Sequence, residues 1–387
     1  MTDRAKYFDY AATAPMLPEA VEAYAEAAGE LYGNPSSPHD AGTAARRALL
    51  EARERICDCA GFDDGRLILT SGGTESNNLV IRGIMEQQPD RRLLVTEDTH
   101  PSIWFARQHY EERCDILRTG RDGVLTAEMV ALALKPEHVM VCLSHACNET
   151  GLVHDVARIA RLCNRREVLC HIDGTQALGH LPVNLAELTC DFYTFSAHKF
   201  GGPRGVGGVF LREGGISPQN RGGNQEWRLR AGTENVAGAI ATAVALEISE
   251  ARREREESRL RDLARQLYSG LEEALPEVLL NSDLENGLPG LVSVSLKGVS
   301  SHDVAVELNL RGYAVSTGSA CHADQVLPSR VILSLGRKRD EALGTLRISL
   351  GPASTPEAIT GLLRDLPEIV SAQKVPGQPA RTSAMPF

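Results

Sequence analysis

Lys199 closes the run Phe195-Ser196-Ala197-His198-Lys199, in which a hydroxyl, an imidazole and an amine follow an apolar stretch. Residues 191–195 (DFYTF) read as a strand, because aromatic and β-branched side chains favour a pleated surface. Residues 201–208 (GGPRGVGG) read as a glycine-rich turn. A lysine amine kept neutral by its surroundings condenses with an aldehyde to a Schiff base. Ser196 and His198 can donate hydrogen bonds to a phosphate. The run therefore points to an anchor for pyridoxal phosphate (PLP) at Lys199. The alternative is a solvated surface lysine ahead of a loop.

Three other stretches carry matching chemistry. TSGGTESNN (70–78) joins a strand to a helix, with Thr74 expected as both N-cap and hydroxyl donor. The two glycines before it, of which Gly73 is the second, let a ligand approach backbone N–H groups at a helix N-terminus, where an anion is favoured. A plain N-cap is the other reading. HIDGTQ (171–176) ends a further strand, so Asp173 is expected at the carboxyl edge of a sheet. A carboxylate there can keep a pyridine nitrogen protonated; it can equally cap the next helix. Gln176 can then donate to the ring hydroxyl. His100 follows 95–99 (VTEDT) and can stack on a ring and relay protons, although a lone loop histidine also sits on surfaces. Asn148 is similarly placed after a strand ending near Ser144. Residues 316–321 (STGSAC) are small and glycine-containing, which predicts a mobile loop and an exposed Cys321. A thiol with His322 beside it can become a thiolate; a buried, inert cysteine is the alternative.

The elements that must position these residues follow from periodicity. Strands are expected at 66–70, 93–96, 139–144, 168–173 and 192–195, each separated from the next by helical material. That alternation predicts an α/β fold with a mostly parallel sheet covered by helices. An extended arm is expected at 7–18, helices at 20–31, 44–60 and 235–275, and a turn-rich loop at 33–39. The mixed-charge run 250–259 reads as a solvated helix face linking two domains. A smaller α+β unit follows, with strands at 291–296 and 346–349 and helices at 303–310 and 356–370. The expected organisation is a large domain over 16–249, a small domain over 1–15 and 250–372, and a disordered tail over 373–387.

A chain of 387 residues with a formal charge of −10 argues against non-specific nucleic-acid binding. No apolar run is long enough for a membrane span, and the first residues lack a secretion signal. Nine cysteines without a C-x-x-C pair suggest reduced thiols and a cytoplasmic setting, with no metal site.

Taken together, YFDYAATAP (7–15), GNPSS (33–37), TSGGTESNN (70–78), NETG (148–151), HIDGTQALG (171–179), FSAHK (195–199), RAGTENV (230–236) and STGSAC (316–321) occur in one order over nearly the whole chain. In this the sequence resembles the cysteine desulfurases, PLP enzymes of the class V aminotransferase group with the type I PLP-dependent transferase fold. The resemblance implies that Lys199 holds PLP and shuttles the substrate Cα proton. It implies that Thr74, Ser196 and His198 bind the phosphate with the Gly73 and Ala197 backbone nearby. Asp173 would face the ring nitrogen, Gln176 and Asn148 the ring oxygen, and His100 the ring face. Thr233 would reach the phosphate of the neighbouring subunit, implying a homodimer. Asn34, Asn148 and Arg347 would contact the substrate, with the Arg347 guanidinium gripping its carboxylate by two bonds. Cys321 would take sulfur from L-cysteine as a persulfide, release L-alanine, and pass the sulfur to an iron–sulfur scaffold or a thiolation factor. The loop resembles that of the branch with Ser-Gly-Ser-Ala-Cys.

Three stretches depart from the family pattern. Trp227 stands where an arginine is usual and Arg228 where a glycine is, so a guanidinium has moved by one position or a contact is lost. The stretch before His100 reads TEDTH (96–100), longer than the family's usual Thr-Glu-His. His322 after the cysteine resembles selenocysteine lyases and keeps a selenium substrate open. The rivals are therefore a selenocysteine lyase, a PLP enzyme that does not use the thiol, and a non-catalytic sulfur or iron–sulfur scaffold on the same fold.

Overall fold

The computed structural model describes residues 3–212, 215–318, 320–322 and 325–374 in backbone terms; the side chains of 319–326 lie outside the described residues. The expected tail falls outside them too, except for Gln373, which ends the last helix, Pro356–Gln373, and Lys374, its C-cap.

A seven-stranded sheet forms the centre. Its strands are β1 (Arg66–Thr70), β2 (Arg92–Thr96), β3 (Cys114–Leu117), β4 (His138–Ser144), β5 (Leu169–Asp173), β6 (Phe192–Ser196) and β7 (Gly207–Leu211). They lie in the order β1-β7-β6-β5-β4-β2-β3. Neighbours β6/β5, β5/β4, β4/β2 and β2/β3 are parallel, and β7 alone runs against both of its neighbours. The inner strands read as continuous apolar runs because helices cover both faces: β4 and β6 are buried at every position. The expected mostly parallel α/β sheet is what forms.

This topology brings the carboxyl ends of β1, β2, β4, β5 and β6 to one edge of the sheet. Thr70, Thr96, Ser144, Asp173 and Ser196 end those strands, so the motifs singled out above all open on the same side. The stretch 201–208 is a turn only in its first part. Gly207 and Gly208 begin β7, and Gly207 must lack a side chain because a Cβ there would lie 2.6 Å from the Gly72 Cα. The strand can therefore pass directly behind the 70–74 turn.

The long helix Val236–Ala274 spans two cores. Its first turns (Val236, Ala239, Ala241, Ala243, Ala245, Leu246) pack in the core under the large sheet. Its last turns (Leu260, Leu263, Ala264, Leu267, Leu271) pack in a second core with Phe8, Val292, Val294, Leu346 and Ile348. Between them the charges pair along the surface, as in Arg253–Glu250, Arg259–Glu256 and Arg261–Glu257. The second core lies against an antiparallel sheet of β8 (Leu279–Leu280), β9 (Leu291–Ser295), β10 (Ser316–Thr317) and a last strand, Thr345–Ser349, ordered β10, last strand, β9, β8. The arm crosses to this sheet: Asp9 bridges Ser349 and Tyr7 bridges Ala314.

Cys321 does not sit in an irregular loop. Ala320–His322 pairs antiparallel with Gln325–Leu327 as a two-stranded ribbon, with Cys321 opposite Val326.

Candidate functional site

A cavity of about 440 Å³ opens at the carboxyl edge of the large sheet. Lys199, Asp173, His100, Gly73, Thr74 and Ser196 border it, together with His198, Gln176 and Asn148. These residues are up to 126 positions apart in sequence (73 to 199) and are gathered by strand ends alone. Lys199 also borders a second space of about 470 Å³ behind the arm. Asp173, His100 and the Gly73 turn do not face that space, so the chemistry belongs to the first.

Lys199 ends a short 3₁₀ turn, Ala197–Lys199, that leaves β6. Its Nζ donates to the carbonyl oxygens of Ala11 (2.6 Å) and Ala12 (2.9 Å) on the arm. Burial lowers its pKa to about 8, and the Arg347 cation adds to the lowering against Asp173 and Asp9. Asp173 ends β5, and Asn77 holds its Oδ2 by a 2.8 Å hydrogen bond while the Thr175 N–H holds Oδ1. Asn77 is fully committed: its Nδ2 also donates to Ser102 Oγ (2.8 Å) and its Oδ1 accepts from Thr194 Oγ1 (2.7 Å). Ser102 Oγ in turn lies 2.8 Å from His100 Nδ1, which also accepts the Ser102 N–H. With Nδ1 as acceptor, the His100 proton sits on Nε2. Burial lowers the His100 pKa, so the ring is neutral near pH 7.

The helix Gly73–Met85 meets the cavity with its N-terminus. Its N-cap is Gly72, not Thr74 as the sequence suggested, and no side chain caps it. Thr74 is one turn position inside, with its hydroxyl on an exposed residue. Thr175 Oγ1, buried against Gly73 (2.8 Å from where a Gly73 Cβ would sit), has no hydrogen-bond partner. Free N–H groups, an orphaned hydroxyl and Ser196 around one space suit a phosphate. Arg204 borders the same space and adds a positive charge.

Other expected contacts differ. The Ala197 N–H donates to Val206 O and is not free for an anion. Gln176 Nε2 donates to Ala11 O rather than into the cavity. His198 Nδ1 lies 3.1 Å from Thr13 Oγ1, and burial lowers its pKa to about 4, so it presents a neutral ring. Arg347 stands just outside: Nη1 donates to Asn148 O (2.9 Å), Nη2 to Asp9 Oδ1 (3.0 Å), and its buried Nε has no partner. Through Asn148, which borders the cavity, the Arg347 guanidinium is placed next to it, and a guanidinium suits a carboxylate. Asn34 is not brought here: it is exposed, with its Oδ1 accepting the Ser36 N–H. Thr233 is exposed and does not border the cavity within one chain. Trp227 lays its ring against the Arg53 and Arg66 guanidiniums, 4.9 and 5.8 Å from its centre.

Sequence reasoning missed Asn77, Ser102, Thr194, Thr175 and Arg204. Two had a readable signal. Asn77 stands four residues after Gly73, on the same helix face. Thr194 is the polar interruption of an apolar strand and pairs in register with Asp173. Ser102 could not be read, since it reaches Asn77 only through the fold.

A cradle for an anion, a depressed lysine amine and a supported carboxylate on the edge of a mostly parallel sheet define a class of protein, and residues 6–362 match the aminotransferase class-V family. The chain belongs to that family. Among curated relatives it is similar to "Cysteine desulfurase IscS" of Dictyoglomus turgidum, 34% identical over 374 residues and 95% of each chain. It is also similar to the protein of the same name from Methanosarcina thermophila, at 32% over 95% of this chain and 92% of that one. Among solved structures, one titled "NifS-like protein" superposes with a TM-score of 0.88 at 29% identity, covering 96% of this chain and all of that one. No helix among the described residues is long and apolar enough to cross a membrane.

Proposed function

We propose that this chain is a PLP-dependent cysteine desulfurase that removes sulfur from L-cysteine, leaving L-alanine and a persulfide on Cys321. The observation that carries the reading is the convergence on one cavity of the Lys199 amine, the Asn77-held Asp173 carboxylate and the uncapped helix N-terminus at Gly73. Lys199 and the Gly73–Thr74 turn would hold PLP, with Ser196 at the phosphate and His100 against the ring. PLP bound there supplies electron withdrawal that stabilises negative charge at the substrate Cα. Asp173 would keep a ring nitrogen protonated, Lys199 would move a proton at Cα, and the Arg347 guanidinium would orient the substrate carboxylate. Cys321 Sγ, as thiolate, forms an S–S bond with the substrate sulfur. The electron pair of the broken Cβ–S bond stays on carbon, which takes up protons and leaves as alanine.

The same reading includes a cofactor domain over 16–249 and a small domain over 1–15 and 250–372, joined by the long helix. It includes a homodimer in which Thr233 serves the neighbouring subunit, and a sulfur-acceptor protein for the persulfide. The test is alanine and sulfide release from L-cysteine by the PLP-loaded protein. Cys321→Ser should keep its yellow colour and lose sulfur release by at least a hundredfold; unchanged release would remove Cys321 from the reaction. Turnover of selenocysteine with none of cysteine would move the assignment to a selenocysteine lyase.

A further inference from the structure

The turn that receives the phosphate carries an acid at its mouth. Glu75 follows Thr74 and borders the same cavity, half-buried. Its Oε2 accepts the Ser71 N–H at 2.7 Å, so its charge is held beside the backbone groups that face the anion. A bare carboxylate in that position repels a phosphate dianion and offsets the helix dipole that favours it.

Arg230 answers that charge. Its Nε donates to Glu75 Oε1 at 2.9 Å and its Nη2 to Oε2 at 3.4 Å, and Asn220 Nδ2 adds a 3.3 Å bond to Oε1. Burial raises the Glu75 pKa, but the Arg230 and Ser71 bonds outweigh it and hold the group ionised. Arg230 is itself delivered by a segment fixed at unusual backbone cost. Glu226, Trp227 and Arg228 are three successive non-glycine residues at positive φ (46°, 54° and 66°). What holds them there is Glu226, buried and paired through both oxygens with Arg53 (2.7 and 2.9 Å), its Oε2 also accepting the Leu69 N–H of β1. Glu226 thus fixes the strand entering the turn and Arg230 fixes the helix leaving it. One strained segment grips the 69–75 stretch at both ends.

We propose that Arg230 is a charge-compensating positioning residue that enables the Gly73–Thr74 turn to accept the cofactor's phosphate dianion in spite of Glu75. This rests on the reading of that turn as the phosphate site. The role concerns the phosphate alone, so it separates from general structural support when PLP is compared with pyridoxal, which has the ring and aldehyde but no phosphate.

The experiment measures dissociation constants of both compounds on cofactor-stripped protein. Arg230→Gln is expected to weaken PLP about tenfold while leaving pyridoxal within about twofold. Arg230→Gln with Glu75→Gln is expected to recover most of the loss, because the uncompensated charge is gone. Arg230→Lys, which keeps the cation, serves if the glutamine variant fails to fold, and should bind PLP within a few-fold of the parent. Equal weakening of PLP and pyridoxal, an unchanged PLP constant in Arg230→Gln, or a double variant no better than the single one would overturn the proposal. A parent protein that binds PLP no more tightly than pyridoxal would instead remove the phosphate site itself.

Discussion

Covalent capture of PLP by the cofactor-stripped protein should follow the protonation of Lys199. Only the neutral amine attacks an aldehyde. With a pKa of about 8, about one Lys199 in eleven is neutral at pH 7, against about one in three thousand for an amine left at 10.5. The buried position is therefore worth a factor of about 300 in reactive amine. The capture rate should rise about tenfold per pH unit below the midpoint and level off above it. The sign of two substitutions follows from the neighbours. Arg347 disfavours the ammonium, so Arg347→Gln should move the midpoint up and slow capture at pH 7 several-fold. Asp9 favours the ammonium, so Asp9→Asn should move the midpoint down and speed capture. Stopped-flow absorbance of the yellow adduct across pH 6 to 10 reads both. A rate independent of pH below 8, or the two variants shifting the midpoint in the same direction, would refute the reasoning.

Two further outcomes follow from the supports of Asp173. Asn77→Leu strands Asp173 Oδ2 and the Thr194 hydroxyl in a buried site and leaves Ser102 Oγ with His100 alone, at a cost of about 3 kcal/mol; thermal unfolding should fall by several degrees, and an unchanged midpoint would mean the network carries no stability. Gly174→Ala places a Cβ 2.0 Å from the Tyr193 ring, so soluble yield or PLP content should drop sharply, whereas Gly205→Ala, at a positive φ of 78° but with open space around it, should be milder.

The strands that carry the site were readable because each is a short, mostly apolar run ended by a polar residue. The expected 66–70 and the observed Arg66–Thr70 coincide, and β4, β5 and β6 differ from their expected limits by one residue at an end. β7 was hidden because it begins with two glycines, whose reason is close packing, of Gly207 against Gly72 and of Gly208 against Phe195 and Leu67, and not any β preference. β3 was hidden because it is an edge strand with no fully buried position. Of the site, the residues that face a ligand stood out by their chemistry at strand ends. The Thr74 hydroxyl did, but the N-cap expected at Thr74 is Gly72 in the fold, because the helix already begins at Gly73. The residues that hold those side chains in place did not stand out. Asn77 to Asp173, Arg230 to Glu75 and Asp9 to Arg347 are pairings across long stretches of chain, which only the folded topology brings within bonding distance.

The arm at residues 8–14 meets Lys199 through the Ala11 and Ala12 carbonyls, Gln176 through Ala11, His198 through Thr13 and Ala14, and Arg347 through Asp9. It is seated by Ser349, which bonds the Ala11 N–H and bridges Asp9. During synthesis the ribosome delivers the arm before its seat, with Ser349 following Ala11 by 338 residues, so while that stretch is made the large sheet has no strap over its reactive edge. The interval ends only when the final strand emerges, and until then the lysine that takes the cofactor lacks the two carbonyls that hold it in the finished protein.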